Sequence, residues 1–284
     1  MSGPRRLRRL GMGLATVLGL APRGFFIPYR HAAATRPDAG YPELEPLFRQ
    51  AEAAMAAVIG EIDARADDLL AIGEGRPPQP RWRQDWFPRL DAAAAYVLVR
   101  TAAPARIVEI GAGHSTRFVA RAIRDGGLST RQVAIDPAPR AALGDLPVDL
   151  VRATVQDAGP EVFRGLAAGD MVMVDSSHIL MPGSDVDILL NRVLPTLPAG
   201  ILVHFHDIVL PDAYPADWRW RAYNEQSGVA ALLTGGGWAV RFSSHYAATR
   251  MADAVRRSVV GRLPLGRGAK ETGLWLTKTA APVG

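Results

Sequence analysis

The 284-residue chain contains no cysteine. That absence excludes a disulfide framework, a thiolate zinc site, an iron–sulfur cluster and a cysteine nucleophile, so any chemistry must use oxygen, imidazole or a bound cofactor. Lysine is almost missing as well: 31 of the 33 cationic side chains are arginine, a bias that reads as codon composition rather than phosphate recognition. No apolar run approaches the ~20 residues that span a bilayer, and no period of roughly 20 to 50 residues marks a solenoid or propeller. The formal charge of +5 is unevenly spread. Arg5, Arg6, Arg8 and Arg9 carry +4 and residues 250–284 a further +5, leaving residues 10–249 at −4. A basic chain with an acidic body gives no footprint for a nucleic-acid groove.

What is present begins with an arginine cluster followed by the uncharged stretch Leu10 to Pro22. The order is that of a secretory signal, yet Pro22 and Arg23 follow Ala21 where a small-residue cleavage site belongs. A retained segment that packs on the body or touches a membrane surface is the reading adopted, with a cleaved signal as its rival. Gly11, Gly13 and Gly19 are expected to weaken it as a helix. From Tyr41 to Gly73, apolar residues recur at three- and four-residue steps, which predicts one amphipathic helix. A second helical stretch runs from about Asp85 to Thr101.

From Ala105 the pattern changes to short apolar runs alternating with helical segments. Strands are expected at Arg106–Ile110, Gln132–Ile135, Val148–Val151, Met171–Val174 and Ile201–Phe205. Two late strands, Trp238–Ser243 and Gly273–Thr277, fit an antiparallel pair closing the sheet. This grammar predicts an α/β protein with a Rossmann-like, doubly wound sheet. Its organisation is a 1–40 extension, a 41–104 helical cap and a 105–284 ligand-binding domain.

The strongest local motif is Val108-Glu109-Ile110-Gly111-Ala112-Gly113-His114-Ser115-Thr116. A strand running into a glycine turn and then a helix directs backbone N–H groups at a ligand. Thr116 stands where a dinucleotide fingerprint has its third glycine, which favours a ligand without a pyrophosphate. Asp136 ends the next strand, where a carboxylate can accept bonds from ribose hydroxyls. These residues resemble the class I S-adenosylmethionine-dependent methyltransferases, a seven-stranded fold. The resemblance implies that Glu109, Gly111, Gly113, Ser115, Asp136, Gln156 and Asp157 bind the donor; for Gln156 and Asp157 a solvated turn is the competing reading.

A second constellation, Asp175-Ser176-Ser177-His178 followed by His204-Phe205-His206-Asp207, resembles the metal-assisted sugar and macrolide O-methyltransferase branch. By that resemblance Asp175 and Asp207 bind Mg²⁺ or Mn²⁺, with His206 either a third ligand or a hydrogen-bond donor that leaves the shell incomplete, and His178 is the base, active near its ordinary pKa of about 6.5. His206 departs from the branch, which has a carboxylate there. Strand ends ~4.8 Å apart let Asp175 and Asp207 share one cation at roughly 2.0 to 2.6 Å from each oxygen. Otherwise each aspartate simply caps the turn after its strand. His204 is expected to be a satisfied core histidine, His114 to touch ligand or water, and Trp218, Trp220, Tyr223, Asn224 and Glu225 to border the acceptor pocket. The expected activity is cytoplasmic methyl transfer from S-adenosylmethionine to a hydroxyl of a small-molecule or saccharide acceptor. A non-catalytic binding module and an NAD-dependent oxidoreductase compete with it.

Overall fold

In the computed structural model, residues 3–36 and 39–282 are described. The strands are β1 (Arg106–Ile110), β2 (Arg131–Ile135), β3 (Val148–Val151), β4 (Met171–Val174), β5 (Leu202–Phe205), β6 (Trp238–Ser243) and β7 (Leu274–Lys278). They form one sheet in the order β3-β2-β1-β4-β5-β7-β6. β1 to β5 are parallel, and β7 runs antiparallel between β5 and β6. The expected seven-stranded, doubly wound sheet is therefore present, including its late antiparallel closure. Ile107, Val108, Ile110 and all four residues of β4 are buried because helices cover both faces of a parallel sheet, which selects near-continuous apolar runs over alternation. The strand order reverses between β1 and β4, so the crevice at their carboxyl ends is where a ligand is expected.

The helix Arg89–Ala102 buries every residue from Leu90 to Val99. Its run of four alanines permits close approach to the helix His114–Asp125, and Ala103, in left-handed conformation, stops it. The region 41–104 shares one hydrophobic core with the sheet. The single helix expected from Tyr41 to Gly73 is instead divided into the turn Pro42–Leu44 and helices Glu45–Gln50, Glu52–Asp63 and Ala66–Leu70. Bends at Ala51 and Arg65 keep Phe48, Met55, Val58, Ile59, Ile62 and Leu69 on the core as the chain curves. At the other end, Gly3–Val17 is a continuous helix despite Gly11 and Gly13. Met1, Ser2, Pro37 and Asp38 of the expected 1–40 extension lie outside the described residues.

The turn after β1 has two glycines with different duties. Gly111 has φ +87° and lies so close to β4 that a Cβ would run into the Asp175 carbonyl oxygen. Gly113 has an extended φ of −170°, and a Cβ there would meet nothing within 4 Å. We expect Gly111→Ala to lose about 1–3 kcal/mol from backbone strain alone, with the clash added, in urea unfolding. Gly113→Ala should unfold as the parent does; equal midpoints for all three proteins would refute this division of roles.

Candidate active site

Above the carboxyl ends of β1, β2, β4 and β5 lies a cavity of about 1320 Å³, large enough for a nucleoside-bearing donor beside a second molecule. Its floor is the glycine turn, at the start of the helix His114–Asp125. Thr116 Oγ1 accepts from the Gly113 N–H at 2.9 Å, so the residue in place of a third glycine caps the helix. Asp136 lines the cavity while its carboxylate accepts from Ala112 N–H (2.8 Å) and Ala138 N–H (2.7 Å). It thus sets the turn's shape as well as presenting an acceptor.

Gly111, Gly113, Ser115, Asp136 and Gln156 line the cavity together. Two other expected donor-binding residues do not. Glu109 is buried in β1, where it accepts from Ser115 Oγ and lies 3.5 Å from Gln132 Nε2. Burial pushes its carboxyl up to about 7, against the hydrogen bonds of Ser115 and Thr116. Asp157 is turned to Thr154, exchanging Oγ1 and N–H bonds at the cap of a short helix. Gln156 Nε2 donates to Gly183 O at 3.1 Å.

The second constellation converges on the opposite wall. His178 Nε2 lies 3.3 Å from Asp175 and 3.6 Å from Asp207, and its Nδ1 is 2.8 Å from Glu225. His206 Nδ1 sits 3.7 and 3.6 Å from the same two aspartates, while Nε2 is 3.2 Å from Asp91. Arg221 donates to Asp207 at 3.1 Å and stacks over Trp218, 4.3 Å from the ring centre. His178 and Asp207 both have left-handed backbones, with φ of 60° and 55°. The strain at His178 is held by its own carbonyl, which accepts the Asn224 and Glu225 N–H groups that open the helix Glu225–Thr234.

Electrostatics fix the protonation of this cluster. Burial opposes charge on His178, but hydrogen bonds to Asp175 and Glu225, and the charge of Asp207, hold its pKa well above 6.5. His206 is raised in the same way by Asp175 and Asp91 against burial. Burial also opposes the charge of Asp175, yet the two imidazoles hold its carboxyl below the usual range. His178 is therefore not poised at an ordinary pKa, as the sequence suggested. His204 departs from expectation too: it is buried against Trp275 and Phe87 with neither ring nitrogen hydrogen-bonded, and burial pushes its pKa down to about 3. His114 lines the cavity, its pKa lowered by burial to about 4.

The expected metal set Asp175, His206 and Asp207 does not assemble into a cage. Among the described residues no group of three or more His, Asp or Glu side chains is arranged to hold an ion. Asp207 is engaged by Arg221 and Thr272, and Asp175 is paired with both histidines. Sequence reasoning missed Asp91 and Arg221. Asp91 had one signal, a lone carboxylate inside the apolar run Leu90 to Ala95; Arg221 had none.

Residues 108–208 match a family model described as a methyltransferase domain. The resemblance to class I S-adenosylmethionine-dependent methyltransferases holds over that stretch, and with it the expectation of such an enzyme. No curated protein matches the sequence. Among solved structures, the O-methyltransferase TomG from Streptomyces achromogenes, involved in tomaymycin synthesis and solved with its methyl donor, is 17% identical with a TM-score of 0.43. It covers 78% of this chain and 90% of its own. An O-methyltransferase from Bacillus cereus is 12% identical with a TM-score of 0.41 over the same shares. The methyltransferase PaMTH1 from Podospora anserina is 17% identical with a TM-score of 0.42, covering 90% of this chain and 100% of its own.

Because fixed cations already neutralise the carboxylates, chelator dialysis should leave the melting temperature unchanged, and elemental analysis should find well under one divalent ion per chain. Stoichiometric manganese or magnesium retained by the wild type and lost in Asp207→Asn would contradict the charge pairing described.

Proposed function

We propose that the protein transfers the methyl group of S-adenosylmethionine to a hydroxyl oxygen of a small-molecule or saccharide acceptor, with His178 as general base. The observation that carries this reading is the placement of His178 in the cavity wall: Nε2 lies between Asp175 and Asp207, and Nδ1 is anchored 2.8 Å from the fully buried Glu225. The donor, when bound, supplies a methyl group already activated by its sulfonium. What remains for the chain is to hold donor and acceptor in line and to take one proton.

Gly111, Gly113, Asp136 and Gln156 form the donor side of the cavity. His178, Asp175, Tyr223 and Trp218 form the acceptor side. As the acceptor oxygen bonds to the methyl carbon, the carbon–sulfur bond breaks and its electron pair leaves on the sulfur of S-adenosylhomocysteine; the acceptor's proton passes to Nε2 of a neutral His178, and Glu225 accepts the Nδ1–H and stabilises the imidazolium formed. Arg221 beside Asp207 gives the acceptor side a fixed positive charge.

The raised pKa sets the pH dependence. Only neutral His178 can accept a proton, and its carboxylate neighbours favour the charged form, so the rate should climb with pH through a midpoint above 6.5. Removing a carboxylate weakens the imidazolium, so Glu225→Gln should move that midpoint to lower pH while lowering the plateau through lost orientation. His178→Ala should cost roughly 10²- to 10⁴-fold in methyl transfer, with partial recovery at high pH and unchanged affinity for S-adenosylhomocysteine. Rates come from labelled donor with a panel of hydroxylated acceptors, and histidine NMR titration reads the same pKa without an acceptor. An unchanged rate in His178→Ala would remove His178 as the base, and a titration at or below 6.5 would overturn the raised pKa.

A further inference from the structure

Large apolar side chains that remain exposed are concentrated at one place. Among the described residues there are fifteen such side chains, and eleven lie between Leu7 and Tyr29. In the helix Gly3–Val17, Leu7, Leu10, Leu14 and Val17 recur at three- and four-residue steps and line one face, with Leu18 continuing it; all five are more than half exposed. Arg6 falls at the edge of that face, and Arg8 and Arg9 on other sides of the same helix. The chain then presents Leu20, Phe25, Phe26, Ile27 and Tyr29, each more than half exposed, with Arg23 and Arg30 among them.

Charge decides what could cover this surface. Residues 1–36 contain seven arginines and no acidic residue. An acidic protein partner would satisfy the arginines but leave the leucine face in water, and a plain apolar groove would do the reverse. A bilayer interface with anionic headgroups meets both demands, and aromatic side chains settle at that depth. Spanning is excluded: fifteen helical residues extend only ~22 Å, against a hydrocarbon core of ~30 Å, and among the described residues no helix is long and apolar enough to cross a membrane.

We infer that residues 3–30 dock the protein onto an anionic membrane surface, with the helix Gly3–Val17 lying in the interface plane. The docked segment belongs to the wall of the cavity. Phe25 lines it, and Arg9 donates to the Trp220 carbonyl at 3.1 Å, in the turn that carries Trp218 and Arg221. Docking therefore brings the acceptor side to the lipid surface, and a membrane-borne hydroxyl is the acceptor class this favours. That last step rests on the methyl-transfer reading, whereas docking itself does not.

The test is flotation of the full chain with phosphatidylcholine vesicles, with and without phosphatidylglycerol. Wild-type protein should float with the anionic vesicles about tenfold more than with neutral ones, and high salt should reduce the difference. Leu10→Glu with Leu14→Glu should abolish flotation, and Arg6→Glu with Arg8→Glu should abolish the preference for phosphatidylglycerol. Both double variants should bind S-adenosylhomocysteine as the parent does, which verifies folding and separates this result from failure of the proposed reaction. Absence of wild-type flotation, or equal flotation of all proteins, overturns the inference. A soluble dimer that the Leu10, Leu14 variant dissociates, with no flotation of either, overturns it in favour of a second copy as the occupant.

Discussion

Asp91, His206, Asp175, Asp207, His178 and Glu225 make a run of acids and imidazoles in contact across the top of the sheet, closed at one side by Arg221. A buried charge left without its partner costs several kcal/mol, so each member must arrive in position with the next. The members come from distant segments. Asp91 lies in the helix Arg89–Ala102, Asp175 and Asp207 follow β4 and β5, and Glu225 opens the helix Glu225–Thr234. Asp91 also accepts the N–H groups of Thr272 and Gly273, which lead into β7. One network therefore ties the helical region before residue 104, the centre of the sheet and its C-terminal strand. The helical region is not a detachable roof: without Asp91, His206 would keep its buried charge and lose a partner.

The same network sets what the site can do. Two imidazoles and a guanidinium divide the carboxylates among them, and those carboxylates favour the charged form of both imidazoles, so a base here works above its ordinary range. Asp175 shows how finely the parts are fitted. Its carboxylate serves both histidines, and its carbonyl oxygen crowds Gly111, so the turn that faces the donor and the cluster that faces the acceptor meet at one residue. The Asp175 side chain is 36% exposed to the cavity, and solvent there screens its pairs, so its importance lies in geometry more than in stability.

The strands were legible because a parallel sheet covered on both faces leaves unbroken apolar runs, and six residues of β6 were read to their ends. Asp175, His178 and Asp207 were legible because strand ends of known order must neighbour one another. What the sequence hid depends on direction and distance. Glu109 is within the motif, but its side chain points into the protein toward Ser115 and Gln132 rather than up at the cavity. Asp157 has the spacing of a cap to Thr154, a local bond that wins over a ligand. Asp91 meets His206 across 115 residues, and no local pattern carries such a contact. The long helix expected after Tyr41 failed for a related reason, since its apolar period survives bends that periodicity cannot register.

The six-residue turn Ala216–Arg221 joins the two unusual features of the molecule. Its Trp220 carbonyl is bonded to Arg9 of the amphipathic N-terminal helix, and its Arg221 guanidinium is bonded to Asp207 and packed on Trp218 and Tyr223. A 3₁₀ turn of this length has little internal slack, because its hydrogen bonds span three residues and its side chains stand nearly above one another. The N-terminal helix is thus bonded to the same turn that carries the Arg221 guanidinium. From the helix Gly3–Val17 an unbroken chain of contacts runs through Trp220, Arg221 and Asp207 to His178.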